Sequence, residues 1–150
     1  MTRRRSFLAL AGLLTLSPPA ARAQGGFAGD WAGTYHCGQG LTGLHLRLRA
    51  QDDGQFSGLF HFHAVTANPD VPEGCFLVTA RAAETRLTIT AGRWLLRPDD
   101  YVTVDMVGEL DADGTLYGQV EGPSCQLFAL QRVPAGRSLP DGCGVLVSSR

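Results

Sequence analysis

Between Leu44 and Val65 apolar and polar residues alternate in two runs. Leu44, Leu46 and Leu48 interleave with His45, Arg47 and Arg49, and Phe56, Phe60 and Phe62 interleave with Ser57, Leu59, His61 and His63. A period of two residues sends each set to one face of a strand, so each run predicts a β-strand with one buried, largely apolar face. Asp52-Asp53-Gly54 between them fits a short hairpin loop with glycine in the left-handed position. That loop sets Leu46 opposite Phe60 and His45 opposite His61.

The same alternation continues on either side. Trp31–Cys37 predicts an earlier strand, with Trp31, Tyr35 and Cys37 on one face, and Gly38-Gln39-Gly40 ends it. After the hairpin, Asn68 to Gly74 contains two prolines and breaks regular structure. Strands are then expected over Cys75–Ala82 and Arg86–Ala91, followed by an irregular passage, Gly92–Asp100, that holds Trp94 and Pro98. Val102–Leu110, Leu116–Glu121 and Cys125–Val133 complete a set of about eight strands, with Asp111-Ala112-Asp113-Gly114 as a further tight turn. Short strands in hairpin succession favour a single antiparallel up-and-down β-barrel, because closure removes both exposed edges. A β-sandwich is the alternative, but it needs Greek-key crossings that these short connections do not provide. Large residues such as Leu46, Phe60, Phe76, Val102, Val104 and Met106 take inward positions, so a narrow, mostly filled barrel is expected. With Cys125 facing in, Phe128 and Leu130 fall outside.

The first 23 residues stand apart from this pattern. Arg3, Arg4 and Arg5 precede a short apolar core, Phe7 to Leu16, and Ala21-Arg22-Ala23 offers a cleavage site before Gln24. This is the layout of a cleaved signal peptide, and Arg4-Arg5-Ser6-Phe7-Leu8 also suits the twin-arginine route. The core is shorter than the roughly 20 residues a spanning helix needs, so no stable membrane anchor is expected after cleavage. The expected organisation is a leader over 1–23, a barrel over 24–133 and a C-terminal tail over 134–150, in a periplasmic or secreted protein with a bacterial export signal. The chain as a whole has a net charge of −1. Loss of four of its thirteen basic residues with the leader leaves nine against fourteen acids, and none of the nine is a lysine. Such an acidic domain is a poor ligand for nucleic acid.

All four cysteines lie beyond the leader, and in an oxidising compartment they are expected to form two disulfides. Cys37 ends the first strand and Cys125 begins the last, which become antiparallel neighbours when an eight-strand meander closes. The predicted bridges are therefore Cys37–Cys125, sealing the barrel, and by elimination Cys75–Cys143, tying the tail back to the fourth strand.

Candidate chemistry is sparse. His45, His61 and His63 share the outer face of the hairpin and could hold zinc or copper, with His36 nearby, but a solvated polar face is the plainer reading. The Asp-rich segments before Gly54 and Gly114 lack the full calcium-loop pattern and read as turns. No nucleophile with a positioned base stands out, so a non-enzymatic protein without a cofactor is expected.

Gly29-Asp30-Trp31 resembles the G-x-W signature at the first strand of lipocalins and other calycin barrels, and Arg132 sits where those families place an arginine across that tryptophan. Asp99-Asp100-Tyr101 is loosely similar to the lipocalin T-D-Y motif. The resemblance implies a structural role for Trp31 and Arg132, with the indole plugging one end of the barrel beneath the guanidinium. Two functions follow as expectations. One is an interaction module that binds a protein or other extracytoplasmic partner through rim loops or an outer patch, with Trp94, Tyr101, Asn68, Phe128 and Leu130 as candidates. The other is a calycin-like binder that holds a small apolar ligand in the barrel mouth.

Overall fold

The structure is a computed structural model that describes residues 26–144. The leader and the last residues of the tail lie outside this range. Eight strands follow in order: β1 (Gly29–Cys37), β2 (Gly40–Ala50), β3 (Gln55–His63), β4 (Gly74–Ala83), β5 (Arg86–Leu96), β6 (Asp105–Leu110), β7 (Leu116–Glu121) and β8 (Leu127–Val133). They form a closed antiparallel barrel in which each strand pairs with its sequence neighbours and β1 also pairs with β8.

Local chemistry accounts for the hairpins. Between β2 and β3, Asp53 and Gly54 both adopt left-handed backbone, φ 55° and 71°, and the register pairs Leu46 with Phe60 and His45 with His61 as the alternation requires. Between β6 and β7, one carboxylate oxygen of Asp111 accepts the N–H groups of Asp113 and Thr115 at 2.9 and 2.8 Å, an Asx turn that leads into Gly114 at φ 83°. At the β1–β8 seam the strands meet closely. A Cβ at Gly33 would lie 2.0 Å from the Ala129 carbonyl oxygen, so only glycine fits there.

The interior is filled by the residues that the alternation picks out. Leu44, Leu46 and Leu48 from β2, Phe56, Phe60 and Phe62 from β3, and Leu87, Ile89, Met106 and Leu116 from the later strands are all buried. Both disulfides, Cys37–Cys125 and Cys75–Cys143, are formed, and no free cysteine remains. They point to an oxidising, extracytoplasmic environment.

The outer face carries a second, smaller apolar cluster. Leu59, Cys75 and Cys143 are buried there, with Leu77, Leu95, Leu96 and Leu139 packed against them. The tail therefore lies across the outside of β3 to β5, where the Cys75–Cys143 bridge holds it.

Three stretches differ from the expected pattern. First, β5 does not stop at Ala91 but runs to Leu96, and Trp94 pairs with Phe76 across β4. Two register shifts between Cys75 and Val78 absorb the irregularity, and Gly92 lets the backbone of Leu77 come close, which is why a glycine interrupts the alternation without ending the strand. Second, β6 begins only at Asp105, so Val102 is exposed and not part of the core. Asp100 turns the chain with φ 63°, and the Asp105 carboxylate takes the Ala91 N–H at 2.7 Å in place of a backbone partner. Third, Phe128 and Leu130 point inward and are buried, whereas Leu127 is exposed. Ser124, at φ 55°, turns the chain between β7 and β8, and Gln126 N–H bonds to the His36 carbonyl, so the inward parity resets between Cys125 and Phe128. Inward-facing Cys125 and inward-facing Phe128 are thereby compatible.

Candidate ligand cup at the barrel mouth

The two ends of the barrel are unlike. At one end Trp31 is fully buried, and its indole N–H donates to the Phe27 carbonyl at 3.0 Å. Phe27 packs edge-on against Phe56, and the Arg132 guanidinium lies 4.4 Å from the centre of the Trp31 ring. The guanidinium also donates to the carbonyls of Gly26 and Ala28, which anchors the chain as it enters β1. Gly29 has a physical reason for its place before Trp31: its φ is 134°, and a Cβ there would run into Arg132. Beside it on the outer face, buried Asp30 is paired with Arg47 at 3.2 Å and Arg49 at 3.0 Å. This end is closed.

The other end opens because β5 outruns β6. Above Ile89 the upper part of β5 has lost β6 as a partner, and the segment from Asp100 to Val104 forms no strand. The gap is a cup of about 230 Å³. Its walls are Tyr35, Phe62, Phe76 and Tyr101, with Val104 and the Cys37–Cys125 bridge; Asp100 and Val102 stand at the lip. The aromatic rings brace one another. Phe62 stacks on Tyr101 at 5.2 Å and 6°, Phe76 stacks on Phe60 at 4.5 Å, and Tyr35 meets Phe60 edge-on at 5.4 Å.

The polar groups of the cup form a short chain. Gln39 Nε2 donates to the Tyr35 hydroxyl and to Thr42 Oγ1, both at 3.1 Å, and Thr42 in turn donates to the Gly40 carbonyl at 3.1 Å. Burial pushes the Tyr35 phenol well above its ordinary value, and the neighbouring Tyr101 phenol adds to this; the bonds to Gln39 and Thr42 oppose it. Tyr101 is also raised by burial. Both phenols therefore act as neutral hydrogen-bonding groups.

Of the residues singled out from the sequence, Tyr101 lines the cup. Trp94 stands behind the wall, edge-on to Phe62 at 6.2 Å and to Phe76 at 5.1 Å. Asn68 braces the rim: its side-chain amide donates to the carbonyls of Gln39 and Leu41 at 2.8 and 3.1 Å and holds the β1–β2 turn in place. Phe128 and Leu130, expected on the outside, belong to the core. Asp100 falls in the Asp99-Asp100-Tyr101 segment likened to the T-D-Y motif, but Gln39 and Thr42 are marked by no motif, because isolated polar residues at turns carry no spacing signal.

His45, His61 and His63 do lie together on the outer face, with ring centres 5.7 to 6.2 Å apart. One nitrogen of each ring is engaged elsewhere, and His61 Nδ1 is buried without a partner. Arg137 of the tail donates to His45 Nε2 at 2.6 Å, His61 Nε2 donates to Glu73 at 2.7 Å, and His63 Nδ1 donates to the Ala64 carbonyl at 2.8 Å. Burial and then Arg137 lower the pKa of His45 to about 4, and burial lowers that of His61 against the pull of Glu73. His36 does not join, since it is four residues along β1 from Ala32, the partner of His45, or roughly 13 Å away. Among the described residues no group of three or more His, Cys, Asp or Glu side chains is arranged to hold a metal ion.

Comparison with protein-family models, with curated proteins and with solved structures gave no match to this chain. The closed eight-strand antiparallel barrel is compatible with a calycin-like architecture, and the likeness rests on that architecture together with Gly29, Trp31 and Arg132.

Proposed function

We propose that the protein is an exported, non-catalytic binding protein that holds one small, mainly apolar molecule in the cup at the barrel mouth. The observation that carries this reading is the cup itself, an aromatic-walled opening of about 230 Å³ in a barrel that is packed solid at its other end. An apolar cavity of roughly 150 Å³ accepts benzene, and pockets for drug-sized molecules run from about 300 Å³ upward, so the fitting ligand is a single ring or a short branched chain. The two phenols, held neutral, suit orientation of a ligand and not proton abstraction. The competing reading, an interaction module working through rim loops or an outer apolar patch, keeps Trp94, Tyr101 and Asn68 at the rim but loses Phe128 and Leu130, which are interior side chains. The leader pattern over residues 1–23 supports export, as do the disulfides.

Titration with a small polarity-sensitive aromatic dye tests the reading, using Val102→Trp to fill the lip. Val102 is 57% exposed, so the larger side chain costs little stability. Saturable one-to-one binding that is lost in Val102→Trp with thermal unfolding unchanged is the expected result. Equal binding by the variant would place the dye elsewhere and defeat the proposal.

A further inference from the structure

The side-chain polar groups left over in the cup are an amide oxygen, two neutral phenols and one carboxylate. Thr42 donates to the Gly40 carbonyl, so its oxygen must accept from Gln39, which fixes the amide orientation. Both Nε2 hydrogens of Gln39 are then spent, one on Thr42 and one on Tyr35, and the Oε1 atom is left with lone pairs. Among the described residues no bond to that oxygen is found. Asp100 adds a carboxylate at the lip, and the side-chain donors beside it are two neutral phenols, Tyr35 and Tyr101.

Charge points the same way. Among the described residues no arginine or histidine lines the cup, and Asp100 is its one carboxylate. The nearest basic residue on the same loop, Arg97, donates its Nε–H to the Tyr101 carbonyl at 3.0 Å and is not part of the lining. Aromatic walls add to the preference, since a cation is drawn to the negative face of a ring, whereas a carboxylate gains nothing there.

Building on the proposed binding role, we infer that the ligand is a small organic cation, an amine with one ring or a short apolar body, its ammonium group held between Asp100 and the Gln39 side-chain oxygen. A neutral isostere loses the charge-assisted bonds, and an anion of the same shape meets a carboxylate with no compensating cation, only two neutral phenols. This selectivity is opposite to that of a cup built for fatty acids, which would need a cation at its lip.

The test is calorimetric titration of the purified protein at pH 7 with 2-phenylethylammonium, 2-phenylethanol and phenylacetate, repeated on Asp100→Asn. Asparagine tolerates the left-handed backbone of position 100, so the variant retains the loop. The ammonium compound is expected to bind about tenfold more tightly than the alcohol, with phenylacetate weakest, and Asp100→Asn should bring the ammonium-to-alcohol ratio close to one. A ratio near one in the unaltered protein, a preference for phenylacetate, or a ratio that survives in Asp100→Asn would overturn the cationic assignment while leaving the cup as a binding site. Failure of all three compounds to bind, with the dye also excluded, would remove the cup reading and this inference together.

Discussion

Replacing Trp31 by alanine tests the closed end of the barrel. The side chain has no solvent exposure, donates through its indole N–H to Phe27 and carries Arg132 across its ring. Truncation removes the buried ring, leaves the Phe27 carbonyl without its donor and takes the platform from beneath the guanidinium. Tryptophan-to-alanine changes in tight cores cost about 3 to 5 kcal/mol, and the strand pairs on both sides of β1 leave little room for collapse. At roughly 3 to 6 °C per kcal/mol for a domain of this size, the melting temperature should fall by about 9 to 30 °C. Arg132→Met removes the cation and its bonds to Gly26 and Ala28, and because Arg132 is exposed its cost is smaller, about 1 to 2 kcal/mol. The two changes share one contact, so the double variant should cost about 1 kcal/mol less than the sum. Calorimetry under oxidising conditions, with both disulfides intact, measures all three. A Trp31→Ala protein melting within about 4 °C of the parent, or strict additivity with Arg132→Met, would show that the indole and guanidinium do not close the barrel as described.

Other expectations are more compact. The depressed pKa values of His45 and His61 mean that the unfolded chain binds more protons than the folded one below the ordinary histidine value, so stability should decline as pH falls from about 6.5 toward 4; melting followed from pH 7 to 4.5 should show this, and His45→Gln should flatten the slope. Cys75→Ser combined with Cys143→Ser opens a link across a separation of 68 residues, which should cost about 4 kcal/mol in the chain-entropy model, and release of the tail from Leu59, Leu77 and Leu96 should raise the binding of an apolar dye; an unchanged melting point and dye signal would contradict the outer cluster. Gly33→Ala places a Cβ 2.0 Å from the Ala129 carbonyl and should destabilise by about 2 kcal/mol or more, which denaturant unfolding would detect; no loss would mean that the β1–β8 seam is looser than the close approach implies.

Alternation carried most of the architecture. The register of Leu46 against Phe60 follows from a period of two and a tight turn, and the pairing of Cys37 with Cys125 follows from closing the meander. Parity holds only while the strand is regular, and Cys125 does not set it for β8, which begins only at Leu127 after the turn at Ser124. The continuation of β5 past Gly92 was hidden for a related reason, since a glycine at a bulge reads in sequence as a strand end. The closed end was legible through Gly29, Trp31 and Arg132, but the cup was not. Its polar chain joins Tyr35, Gln39 and Thr42 across a turn, and its opening depends on a mismatch in length between β5 and β6. The histidine trio was placed correctly on one face, yet its closest cation, Arg137, comes from a tail more than 70 residues away in the chain, which no local pattern announces.

The β1–β8 seam also sets the order of events in folding. Every other pair in the barrel is a hairpin between neighbours, so most contacts can form as the chain emerges, N-terminus first, from a ribosome or a membrane channel. β1 nevertheless keeps one unpaired edge until Leu127–Val133 arrives, the hazard that free edges pose for misassociation. Throughout that interval Cys37 has no thiol to meet except Cys75, and a premature bridge between them would tie β1 to β4, two strands that are not neighbours in the barrel. Delivery in one piece avoids this intermediate, whereas delivery as an unfolded thread makes correct closure depend on thiol exchange after Cys125 appears.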